Sequence, residues 1–261
     1  MIGKVIHYCW FGKNPLPEYV RKNISTWRKY CPDYEIIEWN EDNFNISEND
    51  YCREAYEAKK WAFVSDYVRL KVLYEHGGIY MDADVEVVRP MDDLLKYQAF
   101  SGYESDKNIP TGTMGCCKKN EWIGALLEDY NDRHFLLSDG KYDLTTNVRV
   151  ITRITADRYK LELDGKIKKF GDNIVLLPFD YLCAKSCQTG KIHRTENTYT
   201  IHHFEGSWLS KEEKEKAALR KKLIPFLGKF IASNVAGLHY QFKVGGISGV
   251  INKAKEKMFN S

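Results

Sequence analysis

The sequence predicts an α/β domain built on a parallel sheet, followed by a basic helical appendage. Three observations carry that expectation. Two short apolar runs, Lys4 to Cys9 and Tyr34 to Trp39, flank an amphipathic stretch from Glu18 to Tyr30. Strand, helix, strand at that spacing is a βαβ unit, which implies parallel strands and a right-handed crossover. From Trp61 to Val88 an apolar helix ends at the pair Gly77-Gly78, enters a strand, turns at Asp82-Ala83-Asp84 and continues as a second strand. From Lys211 onward there are eleven Lys/Arg and four Asp/Glu, against 28 and 32 in the rest, so a mildly acidic body carries a basic tail.

Composition bounds the reading. The 261 residues fit one generous domain with an appendage, expected at 1–208 and 209–261. With 43% hydrophobic and 13% aromatic residues the chain can bury a sizeable core, which excludes global disorder. The net charge of +3 is small, and no nucleic-acid partner is expected. The seven cysteines (Cys9, Cys31, Cys52, Cys116, Cys117, Cys183 and Cys187) form no CxxC pair and no zinc-like spacing, which favours a reduced, cytoplasmic setting. The opening MIGKVIHYCWFG lacks the long apolar run of a signal peptide and reads as a first strand. No apolar run reaches the 18 or so residues of a membrane-spanning helix.

In order along the chain, the opening strand leads into Trp10-Phe11-Gly12, and Pro15 and Pro17 precede the first helix. Cys31-Pro32-Asp33 stops that helix, and Glu48 to Lys59 is a short helical stretch. Within the long helix, Ala62, Val64, Val68, Leu70, Leu73 and Tyr74 recur near helical spacing. Ile79-Tyr80-Met81 reads as a buried strand. After the Asp pair come a strand at Val85 to Val88, halted by Arg89-Pro90, a helical turn at Met91 to Lys96 and a strand at Gln98 to Tyr103. Thr111 to Cys117 reads as a strand edge or a loop. Asn120 is placed to cap a helix from Glu121 to Asp132; a further helix is expected at Val148 to Tyr159, and late strands at Ile174 to Leu177 and Thr198 to His202. The tail opens with KEEKEKAALRKK, whose Glu/Lys spacing supports a helix. Its later mixture of aromatic, aliphatic and Lys residues fits either an anionic membrane surface or packing on its own domain.

Chemistry centres on the Asp pair. Two carboxylates beside a buried strand are costly unless a cation or donors compensate them, and hard divalent cations such as Mn2+ or Mg2+ take carboxylate oxygens. A lone Asp-x-Asp is also common in solvated loops. Its context sharpens it: Ser65, Asp66 and Arg69 lie on the helix leading in, with Asp66 and Arg69 on one face. The plain alternative for those two is a surface ion pair. Trp10 reads equally well as core, His202-His203 as structural, and His7 as a core histidine.

Four ordered segments, IHYCWFG, FVSDYVRLKVLYEHGGIYMDADVEVV, DLTTNV and YTIHHFEGSW, together resemble the DXD-containing sugar transferases of glycosyltransferase family 32, with a distant likeness to the glucosylating domain of large bacterial toxins. The resemblance covers about residues 1 to 208. It implies a GT-A fold, a Rossmann-like, mixed and mostly parallel sheet flanked by helices. It also implies retaining transfer from a nucleotide-sugar, with a UDP-sugar as the expected donor, to a saccharide or lipid-linked saccharide, as in capsular polysaccharide synthesis. Carried over, Trp10 would stack on the nucleobase beside Cys9, and Ser65, Asp66 and Arg69 would contact the donor. Asp82 would touch ribose and sugar or a metal-bound water, and Asp84 would ligate Mn2+ or Mg2+. Asn147 would lie near the sugar and Ser207-Trp208 would close over the diphosphate. His203, alone or with His202, would complete the metal site. The catalytic set is then Asp66, Arg69, Asp82 and Asp84. Rival readings are a sugar nucleotidyltransferase, which would want a better Gly-rich basic loop than Trp10-Phe11-Gly12-Lys13, and a non-catalytic carbohydrate-binding module. For localisation, the expectation is a cytoplasmic protein, peripheral at the inner face of the plasma membrane through residues 211–259.

Overall fold

A computed structural model describes residues 1–109, 112–206 and 210–259. The chain divides into two units: residues 1–185 with 192–203, and residues 186–191 with 204–261.

The first unit is built on a seven-stranded sheet. Its strands are β1 (Val5–Cys9), β2 (Glu35–Trp39), β3 (Gly78–Met81), β5 (Ala99–Gly102), β6 (Thr113–Cys116), β7 (Lys168–Phe170) and β8 (Ile174–Leu177), in the spatial order β2-β1-β3-β6-β5-β8-β7. β1 pairs in parallel with β2 and β3, and β5 with β8, whereas β6 and β7 run antiparallel to their neighbours. Five strands therefore point one way and two the other, the mixed, mostly parallel sheet expected of a GT-A fold. The stretch read as a strand edge or loop is β6, a central strand; its small residues suit a crowded position, since a Cβ on Gly115 would meet the Phe100 ring at 2.3 Å. Strand β7 and the short helix α6 (Phe179–Leu182) carry too little periodicity to be read from sequence.

Helices cover both faces. On one, α2 (Asp50–Glu57), α3 (Trp61–His76), α4 (Glu121–Glu128) and α5 (Asn147–Tyr159) contribute to a core that includes Val64, Val68, Leu73, Trp122, Ile151, Tyr80 and Met114. On the other, α1 (Glu18–Tyr30) packs Val20, Ile24 and Trp27 against Ile6, Ile79 and Met81. Along β3 the side chains alternate between the two cores, as a strand buried on both faces requires. At the end of α3, Gly77 and Gly78 have φ of 71° and 94°, and a Cβ on either would lie within 2.8 Å of neighbouring backbone. Gly77 has ψ of −162°, so it leaves the helix in an extended rather than left-handed helical conformation.

Strand β4 (Val85–Val87) stands apart from the large sheet. It pairs antiparallel with β9 (Thr200–His202) in a two-stranded ladder that matches Val85 with His202 and Val87 with Thr200. The second unit contains α7 (Lys211–Phe259), interrupted at Gly228 and Gly246.

Candidate active site

The site forms where β3 ends. Asp82 and Asp84 flank a tight turn, with the Val85 N–H donating to Asp82 O at 2.9 Å. Helix α1 grips this turn from below. Asn23 Nδ2 donates to Ala83 O at 3.1 Å, Trp27 Nε1 to Val85 O at 2.8 Å, and the Val87 N–H donates to Thr26 Oγ1 at 2.9 Å. Three side chains of one helix therefore bond the backbone of the turn and of β4, leaving the two carboxylates free of that duty.

Arg69 lies behind the turn and is 4% exposed. Its Nη2 is 3.0 Å from Asp66 Oδ1, its Nη1 is 3.1 Å from Asp82 Oδ1, and its Nε donates to Ser65 O at 3.1 Å. The guanidinium also lies 4.8 Å from the centre of the Tyr80 ring, and Tyr80 donates its hydroxyl to the same Asp82 Oδ1 at 3.0 Å. Burial works against the Arg69 charge, but Asp82, Tyr80 and Asp66 outweigh it and hold the group well above its ordinary range. Burial pushes the Asp66 carboxyl up to about 6; Asp82 adds to the rise and Arg69 opposes it. The surface ion pair considered for Asp66 and Arg69 is thus a buried one that bridges to the turn.

Asp82 is consequently divided. Its Oδ1 is engaged by Arg69 and Tyr80, while its Oδ2 faces His202 Nε2 at 3.9 Å. His202 Nε2 is 3.1 Å from Asp84 Oδ1. One donor atom each from Asp82, Asp84 and His202 converge within 4.8 Å of one another. Burial would lower the His202 imidazole, but Asp84 and Asp82 raise it above its ordinary value. Two carboxylate oxygens and one imidazole nitrogen, partly exposed on one side, suit a divalent cation that keeps positions open for phosphate oxygens. The donor set fits Mn2+ or Mg2+.

Residues 17–101 match the family model of the glycosyltransferase sugar-binding region containing a DXD motif. This stretch of the chain, about a third of it, is similar to the DXD glycosyltransferases. Inositol phosphoceramide mannosyltransferase 3 of Schizosaccharomyces pombe is 32% identical over 130 residues, 47% of this chain and 35% of the relative. Subversion of eukaryotic traffic protein A of Legionella pneumophila is 28% identical over 170 residues, 53% of this chain and 26% of the relative. The chain thus spans about a third or less of the length of these curated relatives. Among solved structures, the PaToxG glycosyltransferase matches with a TM-score of 0.47 and 18% identity over 60% of this chain and 69% of its own. The galactosyltransferase LgtC, in complex with donor and acceptor sugar analogs, matches with 0.44 and 12% over 89% and 95%.

Of the other residues singled out from the sequence, Cys9 is buried at the end of β1, with burial pushing its thiol up to about 12, and Asn147 Nδ2 donates to Asp66 O at 3.4 Å. Trp10 is half-buried and lines a cavity of about 430 Å³ with Lys13, Asn14, Glu38 and Glu41; its Nε1 donates to Asn14 O at 2.7 Å. Ser207 and Trp208 lie outside the described residues.

His203 requires correction. Its Nε2 is 2.8 Å from Glu86 Oε2 and its Nδ1 3.5 Å from Lys185 Nζ, while only its backbone N–H reaches Asp84 O, at 3.0 Å. Successive strand side chains point to opposite faces. On β9 and its continuation, therefore, only one of the two histidines can look at the DXD turn, and it is His202. Sequence reasoning missed the roles of Tyr80 and Gly112, and weighed Glu104 only as a residue that could touch the acceptor. A Cβ on Gly112 would sit 2.7 Å from His202 Nδ1, and burial raises the carboxyl of Glu104 against the opposing pull of His202. No motif marks these three; Tyr80 lies on β3 itself, Gly112 leads into β6 beside it, and Glu104 follows β5, which pairs with β6.

Proposed function

We propose that the protein transfers a hexosyl group from a nucleoside-diphosphate sugar, with a UDP-sugar as the expected donor, to a saccharide or lipid-linked saccharide acceptor. The observation that carries this reading is the convergence of Asp82 Oδ2, Asp84 and His202 in the DXD element, backed by the buried Asp66–Arg69–Asp82 bridge. The mannosyltransferase names of several curated relatives support a hexosyl donor, and the inositol phosphoceramide in their names supports a lipid-bearing acceptor.

Asp82, Asp84 and His202 would hold Mn2+ or Mg2+, which when bound supplies positive charge against the diphosphate. Arg69 orients Asp82 by fixing Oδ1, so that Oδ2 alone is presented. Asp66, ionised above about 6, is the carboxylate placed to stabilise positive charge developing on the sugar. Trp10 offers an indole face to the nucleobase in its cavity. Transfer breaks the bond between the anomeric carbon and the diphosphate oxygen and forms one from that carbon to the acceptor hydroxyl oxygen. The acceptor proton passes to the departing diphosphate, so a retaining reaction of this kind needs no protein base. The setting that follows is polysaccharide or glycolipid synthesis at a cytoplasmic membrane face.

The test is incubation with a panel of nucleotide-sugars and Mn2+. Slow release of nucleoside diphosphate, accelerated by a saccharide acceptor, is the expected result. Pyrophosphate release would make the protein a nucleotidyltransferase, and binding of sugar without either product would make it a carbohydrate-binding module.

A further inference from the structure

Helix α7 is not one rod. Gly228 has φ 70° and ψ 167°, and the chain reverses there. Residues far apart in sequence then meet: Lys243 ion-pairs with Glu215, and the Lys216 ammonium lies 4.8 Å from the centre of the Tyr240 ring. Residues 211–227 and 229–245 are therefore the two antiparallel arms of a helical hairpin, with Gly228 at its tip. The two pairings centre on residues 229 and 228.

The tip and one stripe of the hairpin are apolar and exposed. Phe226 is 84% and Phe230 81% exposed, one on each side of Gly228. Down the second arm Ile231, Val235, Leu238 and Phe242 follow at spacings of four, three and four, the rhythm of one helix face, and all four are exposed. The adjacent positions Ala232 and Ala236 are fully buried, so the exposed stripe is not the side by which this arm packs. Between Glu215 and Glu256 there are eight Lys/Arg and no Asp or Glu. No helix among the described residues is long and apolar enough to cross a membrane.

We propose that this hairpin docks on the anionic surface of a lipid bilayer, with Phe226 and Phe230 entering the boundary between headgroups and acyl chains. Between residues 216 and 242 the apolar face is flanked by Lys and Arg and by no carboxylate, which matches an interface that is apolar below and negative above. Lys221, Lys222 and Lys229 can lay their methylenes along the apolar face and keep their ammonium groups at the phosphates. A second copy of the chain is the poorer occupant, because pairing the same face with itself would bring together two surfaces of like charge. The proposal stands apart from the sugar-transfer reading, since lipid partition is measured without donor or acceptor.

The experiment is sedimentation of the full chain with vesicles of phosphatidylcholine alone and of phosphatidylcholine mixed with phosphatidylglycerol. Binding is expected only to the mixed vesicles, falling as salt is raised. The double variant Phe226→Ser/Phe230→Ser should lose about tenfold or more in partition while its circular dichroism is unchanged, because both side chains are exposed. Nucleoside-diphosphate release in the absence of lipid should be the same for both proteins. Absence of binding to the mixed vesicles, or equal binding by the double variant, would overturn the proposal. So would a solution dimer that the double variant dissolves, which would assign the face to a second copy.

Discussion

His202 Nε2 lies 3.1 Å from Asp84 Oδ1, across a ladder that joins the DXD turn to the last strand of the first unit. His203, its neighbour, is turned the other way onto Glu86. The two histidines therefore separate cleanly by substitution. His202→Ala should weaken Mn2+ binding on the order of tenfold or more and depress turnover in step, whereas His203→Ala should leave Mn2+ affinity within about twofold. Calorimetric titration with Mn2+ decides it, and equal losses would return His203 to the site.

Arg69 is held by two carboxylates with its side chain only 5% exposed. Removing it leaves Asp66 and Asp82 facing each other in a poorly solvated place. Arg69→Ala should cost about 3–5 kcal/mol, the usual penalty for stripping one partner from a buried pair. Arg69→Lys should recover only part of this, since one ammonium does not reproduce a forked guanidinium. Urea denaturation of the three proteins reads both numbers.

Gly112 tests positioning without touching a donor atom. In Gly112→Ala the new Cβ would need the space now held by His202 Nδ1, 2.7 Å away. The ring must shift, so Mn2+ affinity and turnover should fall about tenfold while the melting temperature moves little. A variant with normal affinity would show that the ring has room to spare.

His7 gives the fold a pH dependence of its own. Its Nε2 lies 2.8 Å from Gly77 O, and its Nδ1 accepts from Trp39 Nε1 at 3.1 Å, an arrangement that fixes a neutral ring with the proton on Nε2. Burial, reinforced by His76, pushes its pKa down to about 4 from 6.5. Between those values the unfolded chain holds a proton that the folded one refuses, so stability is full above about pH 6.5 and is lost as pH falls toward 4. The loss from this residue should reach about 2 kcal/mol at pH 5. Comparing denaturation at pH 7 and pH 5 for the protein and for His7→Gln isolates it, because the variant should lack this part of the slope.

Much of the framework was legible because local chemistry and burial agree. Glu18 to Tyr30 and Trp61 to His76 show helical spacing with clear stops, and Val5 to Cys9 and Ile79 to Met81 are apolar runs bounded by turn residues. The Asp82–Asp84 turn, with Asp66 and Arg69 near it, could be read for the same reason: charges in an apolar stretch need partners. Choosing between His202 and His203 could not be done from spacing, because it depends on which face of β9 meets β4, a matter of register between distant segments. Tyr80 passed as a core residue because nothing in its surroundings shows that the hydroxyl ends on Asp82. The hairpin in α7 was hidden for a different reason, as its reversal rests on a single glycine within a continuous helical pattern.

All seven strands of the large sheet have been synthesised by Leu177, whereas β9 comes only at Thr200–His202. A growing chain therefore has its whole scaffold in hand before the imidazole that completes the Asp82–Asp84 cluster has been made. Structure and competence are separated along the direction of synthesis. Closing the short β4–β9 ladder is the step that turns a framework already in place into a site.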